Sequence, residues 1–148
     1  MKIYLDTSAL NRIFDNRSQV RIALEALAVQ SILLLIQEHT VELIASDALA
    51  YEISRNPYPE NKMTAVNILQ LANSYQALTT EMLKRGQQLE TNDNIGKLDA
   101  LHLACAESQQ VNFFITCDDR IIKRYKGIMR VCNPVEFILL MTESGDKL

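Results

Sequence analysis

Short β-prone runs that alternate with longer helical stretches constrain the fold of this chain more than any other feature. The first β-prone run is Lys2–Leu5, and the second, residues 40–45, alternates in polarity and is rich in β-branched residues. Between them, apolar residues recur at helical spacing over Val20–Gln37. Strands that alternate with helices form a parallel sheet covered on both faces. The sequence therefore predicts an α/β fold, a three-layer α/β/α sandwich with a central parallel sheet.

The rest of the chain continues this alternation. A helix that carries Glu52 is expected to begin at Ser46-Asp47, which is an N-cap candidate, and to end before Pro57. The further predicted elements are helices at 60–73, 81–90 and Lys97–Ser108, strands at 75–79, 111–116 and 128–132, a basic helix after Asp118, and a last helix opened by Pro134. We expect one domain over residues 1–141 and a polar, frayed tail over residues 142–148.

Composition and charge narrow the class of protein. The chain has 148 residues, 48% of them hydrophobic, which is enough to bury a core without disulfides. A net charge of −3 argues against a protein that coats nucleic acid, although residues 118–130 are locally basic. The longest apolar run, residues 32–36, is too short to span a bilayer, and Asp6 interrupts the opening run before it could form a secretory signal. We therefore expect a cytoplasmic protein with no membrane segment.

The cysteines support the same expectation. Cys105, Cys117 and Cys132 are odd in number and lack the spacing of a paired metal motif, and each lies in or beside an apolar run. This pattern is typical of buried thiols in a reducing compartment.

Four acidic residues lie at or near the ends of predicted strands or the starts of predicted helices. Asp6 ends the first strand, Asp118 follows the strand at 111–116, Asp99 lies in the first turn of its helix, and Glu52 lies on the helix after the second strand. Parallel strands end at one edge of the sheet, which is where ligand sites form. We therefore expect the four acids to meet at that edge.

Carboxylates that meet in this way need a positive partner. Two carboxylates about 4 Å apart repel by about 4 kcal/mol at an effective dielectric constant of about 20, which is a large part of a typical stability of about 5–15 kcal/mol. Oxygen ligands without histidine or thiolate favour a hard cation, Mg²⁺ or Mn²⁺. Such an ion can activate water and neutralise charge on a phosphodiester. The predicted ligands are Asp6, Asp99 and Asp118, and the natural reaction is phosphodiester hydrolysis.

Each of these acids also has a structural explanation. Asp6 could simply cap the helix that follows it, and Asp99 could simply complement a helix dipole, with no functional role for either. Asp119 is a second acid directly after Asp118 and is an alternative candidate for the same position. Asp118 is favoured because it lies closer to the strand end, and Asp119 could support it or cap the basic helix.

Glu52 is the assignment with a direct rival. Asp47 is also acidic and lies closer to the end of the second strand. His102 follows Asp99 by three residues, so the two share a helix face. A lone histidine on an apolar helix is more often a hydrogen-bonded core residue than a catalytic or RNA-contacting one.

Four segments together carry a resemblance to a known family. They are residues 4–10 (YLDTSAL), the helix of Glu52, residues 98–104 (LDALHLA) and residues 114–118 (FITCD). In order and spacing they resemble the four motifs of the PIN-domain family, which includes the VapC-type toxins of prokaryotic toxin–antitoxin pairs. The likeness covers roughly residues 2–140, and residues 57–94 match no motif.

The resemblance implies a Rossmann-like sandwich and metal-dependent cleavage of single-stranded or structured RNA. It also implies, in many members, a homodimer held inactive by a cognate antitoxin. Asp6, Glu52, Asp99 and Asp118 carry over as the acids of the metal site, with Thr116 as a hydroxyl support for the last. The expected mechanism has Mg²⁺ or Mn²⁺ bound by three aspartates, with Glu52 orienting the attacking water or completing the coordination.

Two other functions stay open at this stage. A haloacid-dehalogenase-like phosphatase also has an aspartate after its first strand, but it needs a second aspartate two residues later, where this chain has Ser8. A PIN-like module could instead bind RNA or a protein without cutting. Intact acids argue against that reading, because a purely structural domain gains nothing from their repulsion.

Overall fold

The computed structural model describes residues 1–143. Five strands form its sheet, namely β1 (Lys2–Leu5), β2 (Glu42–Ser46), β3 (Ser74–Gln76), β4 (Phe113–Ile115) and β5 (Arg130–Cys132). The described helices are α1 (Thr7–Asn11), α2 (Val20–Gln37), α3 (Asp47–Ser54), α4 (Pro59–Leu69), α5 (Thr80–Asn92), α6 (Lys97–Ser108), α7 (Asp119–Arg124) and α8 (Pro134–Glu143), with a 3-10 turn at Arg12–Phe14.

All pairings in the sheet are parallel, in the order β3-β2-β1-β4-β5. Ile3 of β1 pairs with Leu43 on one side and with Phe113 on the other. β1 is thus the central strand, and the strand order reverses between β1 and β4. The predicted three-layer α/β/α class with a parallel sheet is confirmed, and a reversal of this kind is where such sheets bind ligands.

The core lies on both faces of the central strands. Ile3, Tyr4 and Leu5 of β1 and Phe114 and Ile115 of β4 are fully buried. Helices α5 and α6 pack against each other, and α2 packs against α8. This burial is expected for a parallel sheet covered by helices, whose strands are apolar on both faces. The sheet is therefore a rigid support for side chains at its carboxyl edge.

Several elements differ from their predicted bounds. The helix after Asp6 was raised from the sequence only through the capping role of Asp6 and without bounds, because five residues are too few to show a helical period; α1 forms there, with Asp6 as its N-cap. Helix α4 ends at Leu69 rather than at residue 73, and β3 begins at Ser74. Helix α8 continues through Glu143, and the rest of the predicted tail, residues 144–148, lies outside the described residues.

Helix α2 is long and apolar enough, by length and composition alone, to cross a membrane. Its buried residues pack into the sandwich, and they include Glu25 as well as Val29 and Ile32. Leu24 and Leu27, which the helical spacing also placed in the packed face, are exposed.

Candidate active site

Asp6 joins the two central strands at their carboxyl edge. It is only 3% exposed and directly follows β1. Its Oδ1 accepts hydrogen bonds from Ser8 Oγ (2.7 Å) and from the backbone N–H of Ala9 (3.0 Å), and its Oδ2 accepts one from Thr116 Oγ1 (2.6 Å). Asp6 therefore caps α1 and also binds the segment after β4, so the structural and functional explanations apply to the same side chain.

The partners of Asp6 are neutral, and this affects its charge state. Burial raises the pKa of Asp6, while the hydrogen bonds from Thr116, Ser8 and Ala9 act to lower it; the net result is a raised pKa. A buried carboxylate in this state gains more than an exposed one from a nearby cation.

Asp118 lies on the neighbouring strand end. It is the N-cap of α7, accepting from the backbone N–H of Arg120 (2.9 Å), so Asp118 and not Asp119 caps the basic helix. The guanidinium of Arg120 contacts its other oxygen at 3.1 Å. Partial burial acts to raise the pKa of Asp118, but the hydrogen bonds from Arg120 outweigh it and the pKa is lowered. The backbone N–H of Asp118 also donates to Thr116 Oγ1 (3.0 Å), which links it to Asp6.

Asp99, in the first turn of α6, is the acid without a partner. Within residues 1–143 its carboxylate forms no hydrogen bond and no ion pair. Its pKa is raised to about 6, first by burial and then by the negative charges of Asp6, Asp118 and Glu52, against an opposing effect of His102. The four acids predicted from the sequence are therefore close enough for three of them to act on the fourth.

Glu52 reaches the site from α3. Its Oε1 accepts hydrogen bonds from Thr7 Oγ1 and from His102 Nε2, the latter at 2.8 Å. Burial acts to raise the pKa of Glu52, and the contacts with His102 and Thr7 outweigh it, so the pKa is lowered. Glu52 is thus held as a carboxylate in a fixed orientation.

A buried hydrogen-bond chain lies behind Glu52. His102 Nδ1 is 2.7 Å from the hydroxyl of Tyr4, which is 2.7 Å from Ser46 Oγ. Tyr4, His102 and Ser46 are all essentially inaccessible to solvent. When Tyr4 donates to Nδ1, the Nε2–H of a neutral His102 points at Glu52. His102 is therefore both a satisfied core residue and a support for an acid of the site.

The two rival acids lie elsewhere. Asp47 accepts hydrogen bonds from the hydroxyl of Tyr75 and from the backbone N–H of Leu78 (2.7 Å), beside the edge strand β3. Asp119 is exposed and forms a bidentate pair with Arg21, with N–O distances of 2.8 and 2.7 Å. The structure thus separates Asp47 and Asp119 from the other four acids.

The donor set fits a hard divalent cation by its chemistry. It contains only carboxylate oxygens, and Asp99 has no other partner in the described chain. Asp99 and Asp118 also line one small cavity of about 100 Å³ with Arg120. Across residues 1–143, no group of three or more Asp, Glu, His or Cys side chains is already arranged around a metal position. The carboxylates of Asp6, Asp118 and Glu52 instead accept hydrogen bonds from hydroxyl, guanidinium and imidazole groups, so an ion bound by Asp6 and Asp118 would replace some of these contacts.

Several supporting residues were not assigned from the sequence. Thr7, Ser8 and Arg120 contact the acids directly, and Tyr4 contacts His102, the partner of Glu52. Two of them had a usable signal. Tyr4 precedes Asp6 by two residues on a strand, and such residues share a face. Ser8 follows the Asp6 cap within the same first turn.

Comparison with known proteins agrees with this geometry. A profile of the PIN domain matches residues 3–127. Among solved structures, the chain is similar to VapBC2 from Rickettsia felis bound to a DNA fragment from its promoter, at 16% identity and a TM-score of 0.58, covering 89% of this chain and 98% of that one. It is equally similar to PAE2754 from Pyrobaculum aerophilum, at 16% identity and a TM-score of 0.58, covering 97% and 90%.

At this level of identity the two structures establish the fold alone. A search of curated protein sequences gives no match. The profile match is the stronger finding, because it extends over most of the chain and contains all four acids of the site. This protein belongs to the PIN-domain family, a family of nucleases.

Proposed function

We propose that this protein is a metal-dependent endoribonuclease that hydrolyses RNA phosphodiester bonds. The observation that carries the proposal is Asp99, a half-buried carboxylate without a partner in residues 1–143, whose pKa is raised to about 6 by burial and by three converging acids. A cluster with this charge is stable and ionised near neutral pH when a cation binds it. PIN-domain nucleases in general use divalent metal ions.

Asp6, Asp99 and Asp118 are the proposed ligands of Mg²⁺ or Mn²⁺, which would neutralise charge on the phosphate and make water a better nucleophile. Thr116 holds two of these ligands in register, because it donates to Asp6 and accepts from the backbone of Asp118. Asp119 stays outside the proposed ligand set, since it pairs with Arg21 and lines a different cavity from the one that Asp99 and Asp118 share.

Glu52 is the proposed acceptor for the attacking water. Its contacts with Thr7 and His102 both use Oε1, which leaves Oε2 as an acceptor in the described chain. A carboxylate with a lowered pKa remains ionised and can orient a water by accepting its hydrogen. His102 and Thr7 keep the carboxylate turned toward the other acids.

We further propose that the protein is the toxin of a toxin–antitoxin pair, acting in the cytoplasm as a homodimer. The similar structure from Rickettsia felis is of VapBC2, and it is described with a fragment of its promoter. The exposed face of α2 supports a protein partner, because Val20, Leu24, Leu27 and Leu34 leave apolar side chains in solvent along one helix.

The test uses the purified full-length protein and a pool of RNAs that includes single-stranded and hairpin substrates. We expect cleavage in Mg²⁺ or Mn²⁺ that EDTA abolishes, and a loss of at least about 100-fold in Asp6→Asn and in Asp99→Asn. Asp119→Asn and Asp47→Asn are matched controls, because they remove the same charge outside the cluster. The proposal would be overturned if Asp6→Asn and Asp99→Asn cleaved RNA as fast as Asp119→Asn and Asp47→Asn, or if EDTA had no effect on cleavage.

A phosphatase of the haloacid-dehalogenase type receives no support from the site. Such an enzyme needs a second aspartate two residues after the first, whereas this chain has Ser8 there, and the Ser8 hydroxyl donates to Asp6. A phospho-enzyme trapped at Asp6 would revive that function. A module that binds RNA without cutting predicts binding in Mg²⁺ with no shortening of any RNA in the pool.

A further inference from the structure

A large cavity opens beside Glu52, one of the four acids. It has a volume of about 860 Å³ and lies between α1, the 3-10 turn, α3 and the start of α4. Thr7 and Glu52 line it, and both also belong to the acid site. The cavity and the acid site therefore share Glu52 and its partner Thr7.

Exposed aromatic rings line the cavity. Three tyrosines of the described chain are more than half exposed, and two of them, Tyr51 (53%) and Tyr58 (66%), line this cavity together with Phe14. The third, Tyr75, lies near β3 with its hydroxyl bound to Asp47. Aromatic rings left in water at one place are a mark of a binding surface. We call the surface formed by Phe14, Tyr51, Arg55 and Tyr58 the tyrosine groove.

A free cation accompanies the rings. The guanidinium carbon of Arg55 lies 5.5 Å from the ring centre of Tyr51, and its Nη1 donates to the Tyr51 hydroxyl at 2.9 Å. Within residues 1–143, Arg55 has no carboxylate partner. The planar guanidinium and the two rings provide stacking surfaces, and the positive charge favours a polyanion.

The lining of the groove favours a nucleic acid over a polypeptide. Its apolar side chains are the aromatic rings, Leu98 and Pro57, and the other lining side chains are polar, whereas a groove that takes the apolar face of an amphipathic helix is hydrophobic. The polar lining includes four asparagines, Asn11, Asn16, Asn56 and Asn61, whose amides can both donate to and accept from base edges. Its two acids, Asp15 and Glu52, contact Arg12 and His102. Sequence-tolerant binding of single strands uses this combination of aromatic stacking and arginine.

We propose that the tyrosine groove binds an unpaired nucleobase of a single-stranded RNA, next to the phosphate held at the acid site. The proposal rests on the proposed nuclease function and specifies its substrate: the nucleotide beside the cut must be unstacked. A base paired in a helix cannot enter the groove, so cleavage is confined to single strands, loops and bulges.

Binding is measured in a Glu52→Gln background in Mg²⁺, which keeps the three proposed metal ligands, so that the RNA is bound without being cut. The probe is a short single-stranded RNA that carries 2-aminopurine, whose fluorescence falls when the base stacks on an aromatic ring. We expect Tyr51→Ala and Tyr58→Ala each to weaken binding about 5- to 100-fold and to restore the fluorescence. Tyr51→Phe and Tyr58→Phe keep the ring, so these variants should retain both the RNA affinity and the low fluorescence of the bound probe. An abasic RNA of the same length should bind the parent as weakly as intact RNA binds the alanine variants.

Tyr75→Ala is the matched control, since it removes an exposed tyrosine outside the groove, and a thermal melt of each variant checks that it folds. Cleavage by the unmodified protein with no effect of the rings on binding would overturn this inference and leave the nuclease intact. Ring-dependent binding without cleavage would overturn the nuclease and leave the inference. Alanine variants that bind RNA normally but lose a co-expressed polypeptide would assign the groove to a protein partner.

Discussion

Two groups of buried carboxylates in this protein differ in where their counter-charge comes from. On α2, Glu25 is 1% exposed, and its oxygens lie 3.0 Å from Arg12 Nε and 3.2 Å from Arg21 Nε. At the carboxyl edge of the sheet, Asp6 has only neutral donors and Asp99 has no partner within the described residues. The fold supplies cations for Glu25 and none for Asp6 or Asp99.

The comparison explains why burial of a carboxylate alone does not identify a functional site. A buried charge is tolerated when it is paired and hydrogen-bonded, as Glu25 is by two arginines and by Asn133. Acids that remain unpaired in a fold of marginal stability are retained when an external cation completes them. Asp6 and Asp99 are thus distinguished from Glu25 by the cations they lack.

The largest effect on stability is expected where the internal cations are already in place. Glu25→Gln keeps the shape of the side chain but removes the buried charge that Arg12 and Arg21 share, which leaves Arg12 with Asp15 and Arg21 with Asp119 as their remaining acidic partners. We expect a loss of about 2–4 kcal/mol in the free energy of unfolding, at or below the usual range for breaking a buried pair because Arg21 is half exposed. Urea unfolding in EDTA measures it. Glu38→Gln, an exposed change at the end of the same helix, should stay within about 0.5 kcal/mol.

Glu52 is intermediate between Glu25, which pairs with arginines, and Asp99, which has no partner in the described residues, because its partner is the imidazole of His102. Substitutions of His102 test this intermediate case. His102→Asn places its amide near Nδ1 and loses the contact with Glu52, whereas His102→Gln places its amide near Nε2 and can keep it. We expect kcat of the asparagine variant to fall about 10- to 100-fold, with KM nearly unchanged, and most of it to be retained by glutamine. Equal rates in the two variants would show that the histidine only fills the core.

Asp99 should respond to neutralisation in the opposite sense to Glu25. In metal-free protein near neutral pH, Asp99→Asn removes a charge that three acids repel, so we expect stability to rise. The pKa of about 6 sets the scale, and after allowance for partial exposure the gain is about 1–2 kcal/mol. Addition of Mg²⁺ should stabilise the parent and have little effect on the variant. A destabilised metal-free variant would contradict the comparison.

The sequence predicted the fold and the four converging acids because both follow from chain periodicity and from the geometry of parallel sheets. It did not separate Glu52 from Asp47 by distance along the chain. Asp47 is the first residue of α3, and Glu52 lies five residues later, about 140° away around the helix axis. The two side chains therefore face opposite neighbours, Tyr75 in one case and His102 in the other.

The supporting contacts were not accessible to sequence reasoning for a different reason. Tyr4 meets His102 from 98 positions away and Ser46 from 42 positions away. No local pattern encodes such a pair, since each residue alone is compatible with an ordinary core position. Similarly, Arg21 pairs with Asp119 from 98 positions away, so Asp119 has a different partner from its chain neighbour Asp118. Tertiary packing decides these partners.

The smallest expected effect is the pH dependence of the stability difference between Asp99→Asn and the parent protein. The pKa of Asp99 is raised from its usual 3.8 to about 6, so the metal-free folded state holds a proton that the unfolded chain releases. The stabilisation from this proton is present below about pH 4 and is lost as the pH rises through about 6. The stability advantage of Asp99→Asn over the parent should therefore shrink to less than about 1 kcal/mol near pH 5. Because Asp6, Glu52 and Asp118 titrate in both proteins, the difference between the two unfolding curves isolates Asp99. An advantage that does not change between about pH 4 and about pH 7 would mean that the other acids do not act on it.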